Sequence, residues 1–244
     1  MKNIDTAVIL AAGMGTRLSD VTNGEIPKGF LNINGVTLIN RSIKKLKTYG
    51  IKNIYIVTGY LSEFYEKISN NDESIFTRRN NYFSQKGSMS SLAVLRDELK
   101  DDFILLESDL IYESNALKYV IEFEKEDCIL ISGKTNSGDE CYIEVKNDNL
   151  YKISKNINKI SEVYGELVGI SKISIPLYKQ MLEEYEKTNI NQYHYEEAIF
   201  DSAVKRKIGY LKVDDLIWAE IDDSSHLKRV KEKIIPKLRI KNEE

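Results

Sequence analysis

Cysteine, histidine, proline and tryptophan are all scarce in this 244-residue sequence, with two, two, three and one of each. Cys128 and Cys141 form no C-x-x-C pair, and no metal-ligand spacing surrounds His194 or His226, which excludes a zinc site of the usual kind and a disulfide framework. A reduced protein of the cytoplasm fits that usage. No apolar run approaches about 18 residues, so a membrane span is excluded. Residues 1–12 lack the small-residue cleavage pattern of a secretion signal and read instead as the start of a buried strand. Charge of one sign is missing as well: 35 basic residues against 38 acidic ones leave −3, with neither sign gathered into a block. Nucleic acid is therefore a poor partner for this chain. Linkers, internal repeats and low-complexity stretches are absent, and the expectation is one domain over residues 1–244. A homodimer is compatible with the sequence and not demanded by it.

What is present is a regular alternation of apolar patterns. Short β-branched runs at 7–10, 53–58, 74–77 and 103–106 predict strands, and amphipathic stretches at 38–49, 62–68, 88–99 and 115–124 predict helices between and after them. Gly50 supplies a stop for the first of these helices. This βα alternation implies an α/β fold, a Rossmann-like, mostly parallel sheet flanked by helices. After Asp127 the pattern changes to strands at 128–132, 141–145, 150–153 and 167–173 with only short turns between them. That segment, about 128–174, reads as a small antiparallel insertion over the sheet's edge. Helices follow at 176–187, opened by Pro176, and at 195–206. Strands at 208–213 and 218–221 and a helix at 224–235 complete the expectation.

The first strand runs into Leu10-Ala11-Ala12-Gly13-Met14-Gly15-Thr16-Arg17. Small residues there let the backbone turn sharply, approach a phosphate and aim amide N–H groups at it. Chemistry then belongs at the C-terminal edge of the strands. The loop is not the dinucleotide fingerprint G-x-G-x-x-G, because Leu18 stands where the third glycine belongs, and no P-loop run occurs. Arg17 and Lys28 fill the cationic role, two fixed cations close enough in sequence to straddle a triphosphate.

The run from Leu10 to Leu18 with Pro27-Lys28 downstream resembles the signature of the sugar-phosphate nucleotidyltransferase superfamily, which includes MobA-like transferases. Within it, Gly87-Ser88-Met89-Ser90-Ser91-Leu92, the stretch from Glu107 to Glu113, Thr135-Asn136-Ser137-Gly138-Asp139-Glu140 and the stretch from Gly165 to Ser171 look most like 2-aminoethylphosphonate cytidylyltransferases, with phosphocholine cytidylyltransferases related. The resemblance implies CTP as donor, Mg²⁺ as cofactor, a small amine-bearing phosphonate or phosphate as acceptor, and a Rossmann-like fold.

Asp109 follows an apolar strand at the edge where the glycine loop lies, and Asp222 follows Trp218-Ala219-Glu220-Ile221 in a similar place. The resemblance makes these two the Mg²⁺ ligands, and a hard cation that takes one or two carboxylates agrees with it. Asp223 is the alternative to Asp222, and either acid could instead cap the last helix. The resemblance also implies that Asn80 and Gly87-Ser88 line the base pocket with Ala11-Ala12, and that Lys155 meets the acceptor's anionic head. The nucleotide set is then Leu10 through Arg17, Lys28, Asn80, Gly87, Ser88 and Asp109. For the acceptor, Asp139, Glu140, Glu166, Glu196 and Tyr195 join Lys155, with Glu197 beside Glu196. A quaternary ammonium calls for an aromatic cage, whereas a primary ammonium has three donors and wants carboxylates. The acids at 139–140 favour the primary amine, while Tyr142, Tyr193 and Tyr195 keep a cage open. The remaining alternatives are a sugar-1-phosphate acceptor with another nucleotide, a non-catalytic nucleotide-binding subunit, against which Arg17, Lys28, Asp109 and Asp222 together argue, and a nicotinamide oxidoreductase, which the missing third glycine disfavours.

Overall fold

The computed structural model describes residues 4–241. β1 (Thr6–Ala11) leads through a short helix, α1 (Ser19–Thr22), into a hairpin of β2 (Asn32–Ile33) and β3 (Val36–Thr37) and then α2 (Leu38–Thr48). Next come β4 (Asn53–Thr58), α3 (Ser62–Ser69), β5 (Ile75–Arg79), α4 (Ser88–Ala93), β6 (Phe103–Glu107), β7 (Leu110–Tyr112) and α5 (Asn115–Ile121). The second half holds β8 (Cys128–Ser132), β9 (Tyr142–Lys146), β10 (Asn149–Ser154), β11 (Gly165–Ile173), α6 (Ile175–Lys187) and α7 (Tyr195–Ala203). It closes with β12 (Tyr210–Val213), β13 (Trp218–Glu220), α8 (Ser224–Arg229) and α9 (Ile235–Ile240).

A nine-stranded sheet runs β10-β9-β11-β6-β1-β4-β5, with β8 paired to β11 and β12 to β8. β1 lies at its centre, parallel to β4 and to β6, because all six of its residues are buried and only a strand covered on both faces can be apolar throughout. Its alternation divides the core. Ala7, Ile9 and Ala11 join the cluster under α2 and α5, while Val8 and Leu10 join the one under α4, α6 and α7. A third cluster packs Leu18, Leu31, Ile33 and Leu38 against Ile221, Val230, Ile234 and Leu238. It ties the segment carrying Lys28 to the segment carrying Asp222.

The α/β class matches the sequence expectation, and several details differ. The antiparallel segment does not lie over the sheet's edge; it is sewn into the sheet. β11 is buried at all nine positions and pairs antiparallel with β6, β8 and β9, which makes it an interior strand. Helix α4 stops at Ala93, six residues short of the expected end, and tighter turns follow. Tyr178 Oη donates to the Leu92 carbonyl at 2.8 Å, capturing an acceptor that a longer helix would use. Helix α7 ends at Ala203 because the Asn149 amide donates to the carbonyls of Ala203 and Arg206. The expected helix over 224–235 is broken by a π-helical turn at Val230–Ile234. Pro236 has no N–H to return to Glu232, so the ladder shifts register there before α9 continues. The β2–β3 hairpin was not expected, although Asn34-Gly35 is its signal: both residues take positive φ, +52° and +85°.

Candidate active site

The ends of β1 and β6 and the turn after β13 meet at one edge of the sheet, the place where open α/β sheets hold ligands. Gly15 takes a left-handed φ of +61°, and a Cβ there would lie 3.0 Å from Lys28 Cγ, so a bulkier residue would strain the backbone and push on that lysine. Gly13 opens on free space. The loop then tightens into a 3₁₀ turn, Thr16–Leu18, anchored by the buried Leu18 side chain, and this leaves Arg17 half exposed above the cleft. Opposite, Ser108 N donates to the Leu10 carbonyl at 3.1 Å, and Ile221 N donates to the Asp109 carbonyl at 3.1 Å. These bonds place Asp109 and Asp222 beside each other.

Lys28 lies between the two aspartates. Its Nζ is 2.9 Å from Asp109 Oδ2 and also donates to Asp222 Oδ1. Arg17 reaches the same Asp222 oxygen at 2.9 Å. Asp223 faces away: it is the N-cap of α8 and accepts from His226 N at 2.9 Å and Ser225 Oγ at 2.7 Å. The Asp222 amide in turn donates to His226 Nδ1. Burial opposes the charged form of Lys28, but Asp109 and Asp222 outweigh it and hold the ammonium above its usual pKa. For Asp222, burial pushes up and Lys28 with Arg17 pulls down further, so it stays ionised well below the usual carboxylate range.

Two more carboxylates, which the sequence reading did not single out, complete the cluster. Glu107 and Glu220 each lie two residues before an aspartate, and ligand oxygens of Glu107, Asp109 and Glu220 lie within 4.8 Å of one another. Burial, and then the Asp109 and Glu196 charges, push Glu107 up to about 8. Burial with Asp109 raises Glu220 well above the usual range, and its carboxyl bonds to Asp222. The repeated E-x-D at two strand ends, Glu107-Ser108-Asp109 and Glu220-Ile221-Asp222, is the sequence signal that marks them. An all-oxygen donor set of this kind suits a hard divalent cation.

Two cavities meet at this cluster and share Ser88, Glu107, His194 and Glu220 in their walls. The first, about 280 Å³, is lined by Leu10, Ala11, Ala12, Gly13, Gly15, Lys28, Gly87, Ser88 and Asp109 from the expected nucleotide set, and by Lys86, Ser91 and Gln192 besides. Met14, Thr16 and Arg17 fall outside that lining. Asn80 is buried behind it, where its amide donates to Ser90 Oγ at 2.8 Å and Ser91 Oγ at 3.0 Å. Gly87 is pressed against the chain at Tyr193, whose carbonyl oxygen would lie 2.3 Å from a Cβ there. Ser88 Oγ accepts from Tyr195 N at 3.1 Å and lies 3.3 Å from His194 Nδ1, which docks the start of α7 onto this loop.

The second cavity, about 490 Å³, is lined by Glu107, Glu196, Glu197, Glu220 and Lys155 with Cys141, Ile153, Leu167, Val168 and Gly169. Gly169 takes a positive φ of +77° beside a register shift in β11, and there a Cβ would lie 3.0 Å from Glu107 Oε2. Of the residues expected around an acceptor, the structure brings Lys155 and Glu196 into this cavity. Tyr195 is buried behind it, beside Glu107 and Glu196. Asp139, Glu140 and Glu166 lie outside its lining. Asp139 accepts from Arg17 at 2.9 Å and Lys155 at 3.1 Å. Glu140 accepts from Gly138 N and Tyr142 Oη, and Glu166 from Thr135 N. Among the described lining residues there is no phenyl, phenol or indole ring, and Tyr193 is turned to Asp201 at 2.6 Å.

A model of the MobA-like NTP transferase domain matches residues 7–189. A bifunctional IPC transferase and DIPP synthase of Aquifex aeolicus is 24% identical over 95% of this chain and 52% of its own, so the chain spans about half the length of that relative. A 2-aminoethylphosphonate cytidylyltransferase of Lancefieldella rimae is 25% identical, over 91% of this chain and 89% of its own. Among solved structures, the inositol-1-phosphate CTP transferase of T. maritima superposes with a TM-score of 0.79 at 18% identity, over 95% of this chain and 98% of that one, which shows a shared fold.

Proposed function

The chain belongs to the MobA-like NTP transferase family and is a nucleotidyltransferase, and from that premise we propose that it joins CTP to 2-aminoethylphosphonate, forming CMP-aminoethylphosphonate and pyrophosphate in the cytoplasm. A phosphonate oxygen attacks the α-phosphorus of CTP; the new P–O bond forms as the bond to the β-phosphate oxygen breaks, and pyrophosphate leaves. No protein nucleophile takes part. Catalysis rests on positioning the two anions and neutralising their charge. Arg17, half exposed at the loop, takes the β- and γ-phosphates, and Lys28, deeper between the acids, takes the α-phosphate and the incoming oxygen. Lys155 holds the phosphonate from the second cavity.

The oxygen cluster of Glu107, Asp109 and Glu220 fits a hard divalent cation, and Asp222 stands beside it; we assign Asp109 and Asp222 as the residues that would hold Mg²⁺, which would supply neutralisation of the phosphate charge. Glu107 and Glu220, whose proton affinity is raised by burial and the neighbouring acids, stand at the junction of the cavities.

The observation that carries the choice of acceptor is the second cavity: four glutamates, one lysine, the His194 imidazole, and no phenyl, phenol or indole ring among its described walls. A lysine and carboxylates in the walls of one cavity match a small zwitterion whose primary ammonium donates three hydrogen bonds. They do not match a quaternary ammonium, which has no N–H to donate. Phosphorus NMR of the protein with CTP, Mg²⁺ and 2-aminoethylphosphonate checks this. The expected result is a phosphonate–phosphate anhydride with matching pyrophosphate. Product with phosphocholine or inositol-1-phosphate and none with 2-aminoethylphosphonate would overturn the acceptor.

A further inference from the structure

One carboxylate bridges Arg17, on the glycine loop, and Lys155, in the wall of the second cavity. Asp139 Oδ2 accepts from Arg17 Nη1 at 2.9 Å and from Lys155 Nζ at 3.1 Å. Each cation has 53% of its side chain exposed, whereas Asp139 has 21%. Sharing one oxygen brings the guanidinium and the ammonium to within about 6 Å of each other, a separation at which like charges repel without an anion between them. The loop that carries Asp139 is held at its root. Thr135 N donates to Glu166 Oε1 at 2.9 Å, and the Thr135 carbonyl accepts from Arg229 Nη2 at 3.0 Å. Nearer the tip it turns through left-handed residues, Asn136 at +53° and Gly138 at +98°. The carboxylate is thus presented by a turn whose base is fixed to β11 and α8.

Exposed ion pairs add little to folding stability, so the arrangement calls for another role. Arg17 and Lys155 are the two cations assigned above to the phosphates of the donor and the phosphonate of the acceptor, and the inference rests on that assignment. We propose that Asp139 is a stand-in anion that couples the two substrate subsites. In the free protein it occupies both cations at once. The first anionic substrate to claim either of them displaces the shared oxygen from the other as well, which frees Lys155 of Asp139 or leaves Arg17 held by Asp222 alone. Each substrate then binds more tightly in the presence of its partner, and by linkage the two effects are equal. Asp139 is a positioning residue here and touches neither reacting atom.

Calorimetric titration of the full chain and of Asp139→Asn tests this, with inorganic pyrophosphate as the probe of Arg17 and 2-aminoethylphosphonate as the probe of Lys155. The asparagine keeps the shape and removes the competing charge. Its pyrophosphate affinity is expected to rise by about two- to fivefold, the range of an exposed ion pair released. In the unaltered protein pyrophosphate tightens 2-aminoethylphosphonate by a similar factor, and in Asp139→Asn that mutual effect is lost. Tighter binding is a gain that damage to the fold cannot produce, and Asp139→Ala is expected to show it in the same direction. Unchanged or weaker pyrophosphate binding in both variants, or a mutual effect that survives in Asp139→Asn, overturns the proposal. If 2-aminoethylphosphonate binds neither protein, the acceptor assigned above fails, and the pyrophosphate arm alone still decides whether Asp139 competes for Arg17.

Discussion

Replacing Lys28 by methionine removes the ammonium that bridges Asp109 and Asp222. Asp222 is 2% exposed and Asp109 8%, so both carboxylates would face each other with little water to screen them. Breaking a buried ion pair by deleting one partner costs about 3–5 kcal/mol. Arg17 still reaches Asp222 at 2.9 Å and offsets part of this, which brings the expected loss to about 2–3 kcal/mol. The methionine fills the space of the lysine stem, so the loss measures charge more than packing. Urea unfolding at neutral pH reads the change, run once with a chelator and once with millimolar Mg²⁺. The variant should recover a larger share of its stability in Mg²⁺ than the unaltered protein gains, because the divalent ion can replace the ammonium between the same two acids. Turnover should fall by at least about 10²-fold in either condition, the scale of losing one preorganised charge at a transition state. A variant within 0.5 kcal/mol of the parent, about the range of a neutral surface change, with no extra response to Mg²⁺, would refute this view of the cluster.

Three further outcomes are expected. Asp222→Ala lowers turnover by about 10²-fold or more, whereas Asp223→Ala costs about 1 kcal/mol of stability through the lost cap of α8 and leaves turnover within a few-fold; steady-state rates and thermal melts on the pair check this. Glu196→Gln keeps the shape of the second cavity and removes one charge, so KM for 2-aminoethylphosphonate should rise by about tenfold with KM for CTP nearly unchanged, as a lost charge-assisted hydrogen bond gives. Asp72 is held at about 2 by the Lys47 ammonium and by Ser74, below its ordinary 3.8. The folded form therefore gains stability above pH 3.8 that is lost as pH falls toward 2. Because the pair is exposed the gain is only about 0.2–1 kcal/mol, and Lys47→Met should remove the part that the ammonium supplies, leaving that of Ser74, in acid-unfolding titrations.

Much of the site was legible in the residues. The glycine loop followed the first strand, and the positions of Arg17, Lys28, Asp109 and Asp222 at strand and loop ends brought them to one edge. Glu107 and Glu220 escaped because an acid near a strand end is ordinary in sequence; only the pairing of β13 with β7, and the Ile221 bond to Asp109, brings the two E-x-D ends face to face. The acids of the 136–140 turn read as acceptor contacts; the fold pairs Asp139 with Lys155 and with Arg17, the latter a contact 122 residues apart that sequence spacing does not reveal. The join of β11 to β6 was hidden for a similar reason: apolar patterning predicts a strand but not which neighbour it chooses. Pro236 and Asn34-Gly35 did carry local signals for the π turn and the hairpin, and these were readable.

The acid-lined cavity, with no phenyl, phenol or indole ring among its described walls, is proposed to select a primary-amine phosphonate for cytidylyl transfer. The most direct measurement is kcat/KM for 2-aminoethylphosphonate and for phosphocholine at saturating CTP and Mg²⁺, followed by pyrophosphate release. A site built to accept N–H donors discriminates strongly against an analogue that has none, and a preference of about 10²-fold or more for 2-aminoethylphosphonate is expected. Equal values, or a preference for phosphocholine, would contradict it.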